Sequence, residues 1–198
     1  MRFLPIISKE EAKQLKTLSV VAVDLGFSGR GRTTGVAWSL PNESYAKAFR
    51  FGEAVIAVAE RFRSVEEVAL VLEAPLSAAF DCYGNPRPRG KFEREPQSRW
   101  WSVGPGAATA LSALFFLRDL KSLLTTADTT IRLVEGFVTG VDSGDHDQVA
   151  TALRDGFQER INCHWHTVNE EGRIISALEW MNCELPQKPP VILQPIAG

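Results

Sequence analysis

Two apolar runs in this chain each end in a carboxylate. Val20-Val21-Ala22-Val23 closes on Asp24, and Val68-Ala69-Leu70-Val71-Leu72 closes on Glu73. A third acidic group, Asp145-His146-Asp147, stands just before Val149, Ala150, Ala152 and Leu153, whose spacing is that of a helix face. If both runs are central parallel strands, Asp24 and Glu73 lie side by side at the carboxyl edge of a sheet. That is the edge where open α/β sheets bind ligands. The helix can lie across the sheet and deliver Asp147, one turn from its start, toward the other two acids, with Asp145 as a further candidate. Three carboxylates at one point repel each other unless cations sit between them. Hard oxygen ligands select Mg²⁺ or Mn²⁺, and a pair of such ions is a standard device for phosphodiester hydrolysis. Taken singly, each acid has a plainer explanation, as a turn former or as a complement to a helix dipole. The ordering on two apolar strands and a later helix is what points to a site.

The elements that must position these residues are legible in outline. Ser19–Leu25 and Val68–Glu73 read as strands buried on both faces. The Gly- and Arg-rich stretch after Asp24 is a loop, and strands follow at Gly35–Leu40 and, after a Pro41-Asn42 turn, at about Lys47–Phe51. A helix is predicted over Val55–Phe62, another over Gly106–Leu124, a fifth strand over Ile131–Glu135 and a helix over Asp145–Phe157, with Ser143 placed to cap it. Ser8, with Glu11 three residues on, caps a short helix through Leu15. The expected architecture is α/β: a mixed five-stranded sheet, three strands in an antiparallel meander and then two parallel ones, covered by helices. The first of the five should be central, flanked by the second and fourth. Residues from about 77 to 105, rich in Pro, Gly, Arg and aromatics, read as an insertion. A short strand at Arg173–Ala177 precedes an irregular, proline-broken tail from about 178.

The bulk properties bound the answer. The 198 residues suit one domain, 1–198, with enough chain to bury a core without crosslinks. A formal net charge of −2 excludes a globally basic nucleic-acid binder, so any such partner must be met by a local patch. Three separated cysteines, Cys82, Cys163 and Cys183, form no disulfide framework. With no long apolar run and no signal-peptide pattern at the start, a cytoplasmic protein without membrane association is expected.

Local cationic groups do occur. Arg30 and Arg32 stand in the loop beside Asp24, where they can meet phosphates. The insertion offers Arg87, Arg89, Lys91, Arg94 and Arg99, followed by Trp100-Trp101, a mixture suited to single-stranded or distorted nucleic acid. Its plainer reading is a solvated loop anchored by two core tryptophans, and Glu93 and Glu95 dilute its charge. Cys163-His164-Trp165-His166 has ligand-type residues, but strand alternation puts Cys163 opposite His164, and no second ligand pair at zinc-site spacing is present. No Gly-x-Ser-x-Gly elbow supports a nucleophile, and the glycines at 26, 29 and 31 precede a strand rather than the helix of a dinucleotide site.

Val23-Asp24-Leu25-Gly26-Phe27-Ser28, followed by Thr33-Thr34-Gly35-Val36-Ala37, resembles the first hairpin of RuvC-like resolvases and other proteins of the RNase H-like superfamily. Leu72-Glu73-Ala74-Pro75 is similar to the fourth-strand acid of that fold, and Asp147-Gln148-Val149-Ala150-Thr151-Ala152-Leu153 to its final helix. The order of motifs, including Val134-Glu135 and Asn169-Glu170-Glu171-Gly172-Arg173-Ile174, more closely resembles an uncharacterised bacterial family of predicted RNase H-like nucleases. Gly144 stands where resolvases often carry a second acid or a histidine. The resemblance implies an RNase H-like domain in which Asp24, Glu73 and Asp147 are metal ligands and catalysis is by a metal-activated water. Asp145 and Glu135 are further ligand candidates. Two other function classes stand beside this one: a non-catalytic RNase H-like scaffold that binds a partner or nucleic acid, and an actin/hexokinase-type phosphotransferase. The latter needs two such domains, for which the chain is too short.

Overall fold

The computed structural model describes residues 1–26, 31–40, 43–93, 101–102, 104–139, 145–168, 173–180 and 188–196. In chain order the elements are β1 (Arg2–Pro5), α1 (Lys9–Gln14), β2 (Ser19–Leu25), β3 (Thr34–Leu40), β4 (Glu43–Phe49), α2 (Phe51–Phe62), β5 (Glu67–Glu73), β6 (Ser77–Phe80), α3 (Pro105–Leu123), β7 (Thr130–Gly136), α4 (His146–Phe157), β8 (Cys163–His166), β9 (Arg173–Ser176), α5 (Ala177–Trp180) and β10 (Ile192–Pro195). One mixed sheet runs in the order β4-β3-β2-β5-β7-β10-β8, with β1 also paired to β7. β2, β5 and β7 are mutually parallel, and β3 and β4 fold back antiparallel on β2. The central position of β2 follows from its residues. Val20 to Leu25 are all buried, so the strand needs cover on both faces and neighbours on both sides, here β3 and β5.

The two faces are filled by different helices. Val21, Val23, Leu70, Leu72, Ile131 and Leu133 meet α2 and α3 on one face. Val20, Ala22, Ala69, Val71 and Val134 meet α1 and α4 on the other. Burying a side chain such as Leu70 or Phe157 in these layers contributes about 1.5–3 kcal/mol each. α1 begins where predicted: Ser8 Oγ accepts from the Glu11 amide, while the Glu11 carboxylate accepts from the Ile7 amide rather than from Ser8 itself. Among the described residues no helix is long and apolar enough to cross a membrane.

The five expected strands are all present, but among the described residues the sheet has eight. The strand expected at Lys47–Phe51 lies earlier, at Glu43–Phe49, and Phe51 already begins α2. The additional strands come from the two ends of the described chain and from β8. β1 lies beside the first half of β7, pairing Arg2 with Thr130, and β10 lies beside its second half, pairing Ile192 with Glu135. The two segments meet end to end, the Val191 amide donating to the Ile6 carbonyl at 2.7 Å. The tail read as proline-broken coil therefore supplies an interior strand, on whose outer side β8 pairs antiparallel. Ser143 and the Pro41-Asn42 turn lie outside the described residues.

Candidate functional site: the acids at the carboxyl edge

Because β2 and β5 are parallel and in register, Asp24 is paired directly with Glu73 at the ends of the two strands. Strand alternation puts both side chains on the face of Val20, Ala22, Ala69 and Val71, which is the face covered by α4. Asp24 is 6% exposed and Glu73 5%. Two carboxyl groups are thus held together at the edge of a low-dielectric layer, where the ionised form of each opposes that of the other.

The first turn of α4 completes the surroundings. Gly35 sits opposite Asp24 on β3, and a Cβ there would fall 1.8 Å from the His146 carbonyl oxygen and 2.9 Å from the Asp147 nitrogen. Only a residue without a side chain lets the helix start touch the sheet at this point. The group so delivered against Asp24 is His146, whose Nδ1 lies 2.6 Å from Asp24 Oδ2. Asp145 occupies the N-cap position, exposed, with Oδ2 accepting from Gln148 Nε2 at 3.1 Å. Asp147 is half-buried in the first turn, and its carbonyl accepts from Thr151 Oγ1. Among the described residues no three His, Cys, Asp or Glu side chains are grouped so as to hold a metal ion. The two strand acids are brought together, then, and the helix start lies over them, with His146 in contact with Asp24. The signal was present: His146 opens the predicted helix, one residue from the aspartate that the motif singled out.

Glu135 stands near the end of β7 as Asp24 and Glu73 do on their strands, yet it is not part of this group. It pairs in register with Leu72, not Glu73, so it projects to the α2/α3 face. There it meets Arg89, whose NH1 and NH2 donate to the two Glu135 oxygens at 2.6 and 2.7 Å. Arg89 also donates through Nε to Glu93 Oε1 and through NH1 to Ser77. The Leu76 amide donates to Glu135, and the Arg89 amide to Glu93. Burial pushes the Glu135 carboxyl above its usual range, against the pull of Arg89 and of the Leu76 amide. For Arg89 burial acts to lower the pKa, and the two carboxylates outweigh it and hold the guanidinium charged.

This cluster corrects the reading of Arg89 as a cation of the insertion offered to nucleic acid or to solvent. Arg89 is 2% exposed and its donors are committed to carboxylates and Ser77, which removes it from a phosphate-binding set. The reason is that an insertion at a sheet end must satisfy the acid near the end of β7. Arg87 is half-buried, with its carbonyl accepting from Trp101 Nε1, and Lys91 is exposed. Arg32 is exposed, while Arg30, Arg94, Arg99 and Trp100 lie outside the described residues. β6 pairs with β9, and Trp101 packs edge-on against Phe80, so the described part of the insertion is anchored. No family model matches the chain, and no curated protein or solved structure is found to be similar to it.

Proposed function

We propose that this chain is an RNase H-like, divalent-metal-dependent nuclease that hydrolyses phosphodiester bonds in DNA or RNA. The observation that carries the reading is the register that sets Asp24 against Glu73 at the ends of adjacent parallel strands, beneath the start of α4. Mg²⁺ is commonly held by one or two carboxylates together with substrate phosphate and water, rather than by an all-protein cage. Two buried strand acids fit that donor set without a third side chain in place. Asp24 and Glu73 would hold Mg²⁺ or Mn²⁺, with Asp147 and Asp145 on the first turn available to complete the set. When bound, the ion supplies charge neutralisation at the phosphate and a water of lowered pKa.

The chain's own groups do the rest. His146 fixes the orientation of the Asp24 carboxylate through Nδ1. The amides of the first turn of α4 favour a phosphate approaching the edge of the sheet. The exposed Arg32 and Lys91 are cations available to a polyanion. The absence of a three-ligand group among the described residues favours one second reading, a non-catalytic RNase H-like domain that binds nucleic acid as a scaffold. Cleavage of single-stranded, double-stranded and branched DNA and of RNA, with Mg²⁺ or Mn²⁺, separates the two. The nuclease reading expects metal-dependent cleavage of at least one form, abolished by Asp24→Asn and by Glu73→Gln. Binding without cleavage by the parent protein in every form supports the scaffold.

A further inference from the structure

β8 is an edge strand of the sheet, and its alternation sorts four chemically active residues onto two faces. Cys163 and Trp165 pack against the α4 layer, with Cys163 Sγ donating to the Gly156 carbonyl at 3.5 Å. His164 and His166 therefore share the opposite face, their ring centroids 6.2 Å apart. His164 is exposed. His166 is held on two sides: its ring stacks on Phe92 at 5.0 Å and 29°, and its Nε2 lies 2.8 Å from Gln194 Oε1. Gln194 stands directly across from His164 in the β10 register.

We propose that His164 and His166 form an exchangeable binding site for a borderline transition-metal cation, Zn²⁺, Ni²⁺ or Cu²⁺, on the edge of the sheet. Neutral imidazole nitrogens favour these ions over Mg²⁺, so the site is chemically distinct from the carboxylates of β2 and β5. With metal–nitrogen bonds of about 2.0–2.1 Å, two imidazoles on a tetrahedral ion place their centroids roughly 5 Å apart. The observed spacing needs about 1 Å of closure, which rotation of the exposed His164 about its side-chain torsions provides. His166 is already arranged. The Gln194 amide oxygen accepts from Nε2–H, which fixes the tautomer and leaves the Nδ1 lone pair for the metal. Two protein ligands leave the remaining positions to water, unlike a closed four-ligand structural site. Cys163 takes no part, being turned to the other face.

The test is calorimetric titration of the full chain with Ni²⁺ in an Asp24→Asn, Glu73→Gln background, which removes the proposed carboxylate site, joined to electron paramagnetic resonance of the Cu²⁺-loaded protein. One equivalent should bind with nitrogen coordination. Adding His164→Ala, an exposed substitution that leaves the fold intact, should abolish saturable binding, and adding Gln194→Leu should weaken it roughly 10- to 100-fold. Adding Cys82→Ser should leave Ni²⁺ binding unchanged. Undiminished binding on adding His164→Ala, or loss of binding on adding Cys82→Ser, overturns the site, as does a background protein with no saturable Ni²⁺ binding.

Discussion

Three adjacent parallel strands, β2, β5 and β7, each carry an acid at their last or next-to-last residue, yet the acids live in two different environments. Asp24 and Glu73 project toward α4, paired with one another in register, and Asp24 meets an imidazole. Glu135, one register step back, projects to the other face and meets a guanidinium that grips it with two hydrogen bonds. The same sequence signature, an apolar run closing on a carboxylate, thus has two uses, and strand parity decides between them. On one face the charge is locked into a structural clamp that ties the insertion to the sheet. On the other, two carboxyl groups stand side by side beneath a helix start.

If Glu135 belongs to a clamp, removing its cation should be costly. Arg89→Met leaves Glu135 and Glu93 buried without a guanidinium, and equilibrium urea unfolding should show a loss of about 3–5 kcal/mol. Adding Glu135→Gln and Glu93→Gln should recover much of that loss, since the uncompensated charge is then gone. A change in Arg89→Met no larger than that of a surface substitution would remove the distinction between the two faces.

The other environment breaks at Gly35. Gly35→Ala forces a Cβ into the His146 carbonyl, so the start of α4 must lift from the sheet, with a cost of about 1–3 kcal/mol. Under the proposed function it should also reduce cleavage far more than it reduces the population of folded protein. An Ala variant with the parent's melting temperature would mean that α4 does not press on β3 here.

The two faces should also differ in response to pH. Burial holds the Glu135 pKa above its usual value, so between the two values the folded chain keeps a proton that the unfolded chain releases. Its contribution is full below the ordinary glutamate range and is lost as pH rises through the raised value. Comparing Glu135→Gln with the parent across that window should show the variant losing less stability with rising pH. Parallel curves would mean that the carboxyl is not perturbed. The exposed Glu159, lowered chiefly by its hydrogen bond to Lys16 at 2.8 Å, is the control of opposite sign. Its small contribution is present above the usual range and lost as pH falls through the lowered value. Lys16→Ala should leave the melting temperature almost unchanged at neutral pH. A large drop would show that solvent screens this pair less than its exposure requires.

The β2 and β5 acids were readable because a strand buried on both faces has a local signature, and its last residue is found by counting. The parity of Glu135 was not, since it depends on how β7 registers against β5, which no residue in either strand announces. Arg89 read as a solvated cation because its partners at 77 and 135 are remote in sequence and Pro88 and Gly90 beside it suggest a loop. β1 and β10 escaped notice for a related reason. Each is four residues long with a proline at its end, and each owes its existence to the lane that β7 leaves open beside it. His146 was on view at the head of a predicted helix, but its contact with Asp24 depends on the docking of that helix on Gly35.

Asp24 and Glu73 are proposed as a pair for a divalent cation, and the most direct test is a thermal melt of parent and Asp24→Asn over a Mn²⁺ titration. An ion that binds only the folded arrangement raises the melting temperature, and goes on raising it with the logarithm of ion concentration above Kd. The parent should rise with Mn²⁺, while Asp24→Asn, which keeps the shape of the side chain and removes a ligand charge, should lose most of that response. An Asp24→Asn protein that gains as much from Mn²⁺ as the parent, or a parent that gains nothing, would contradict the claim.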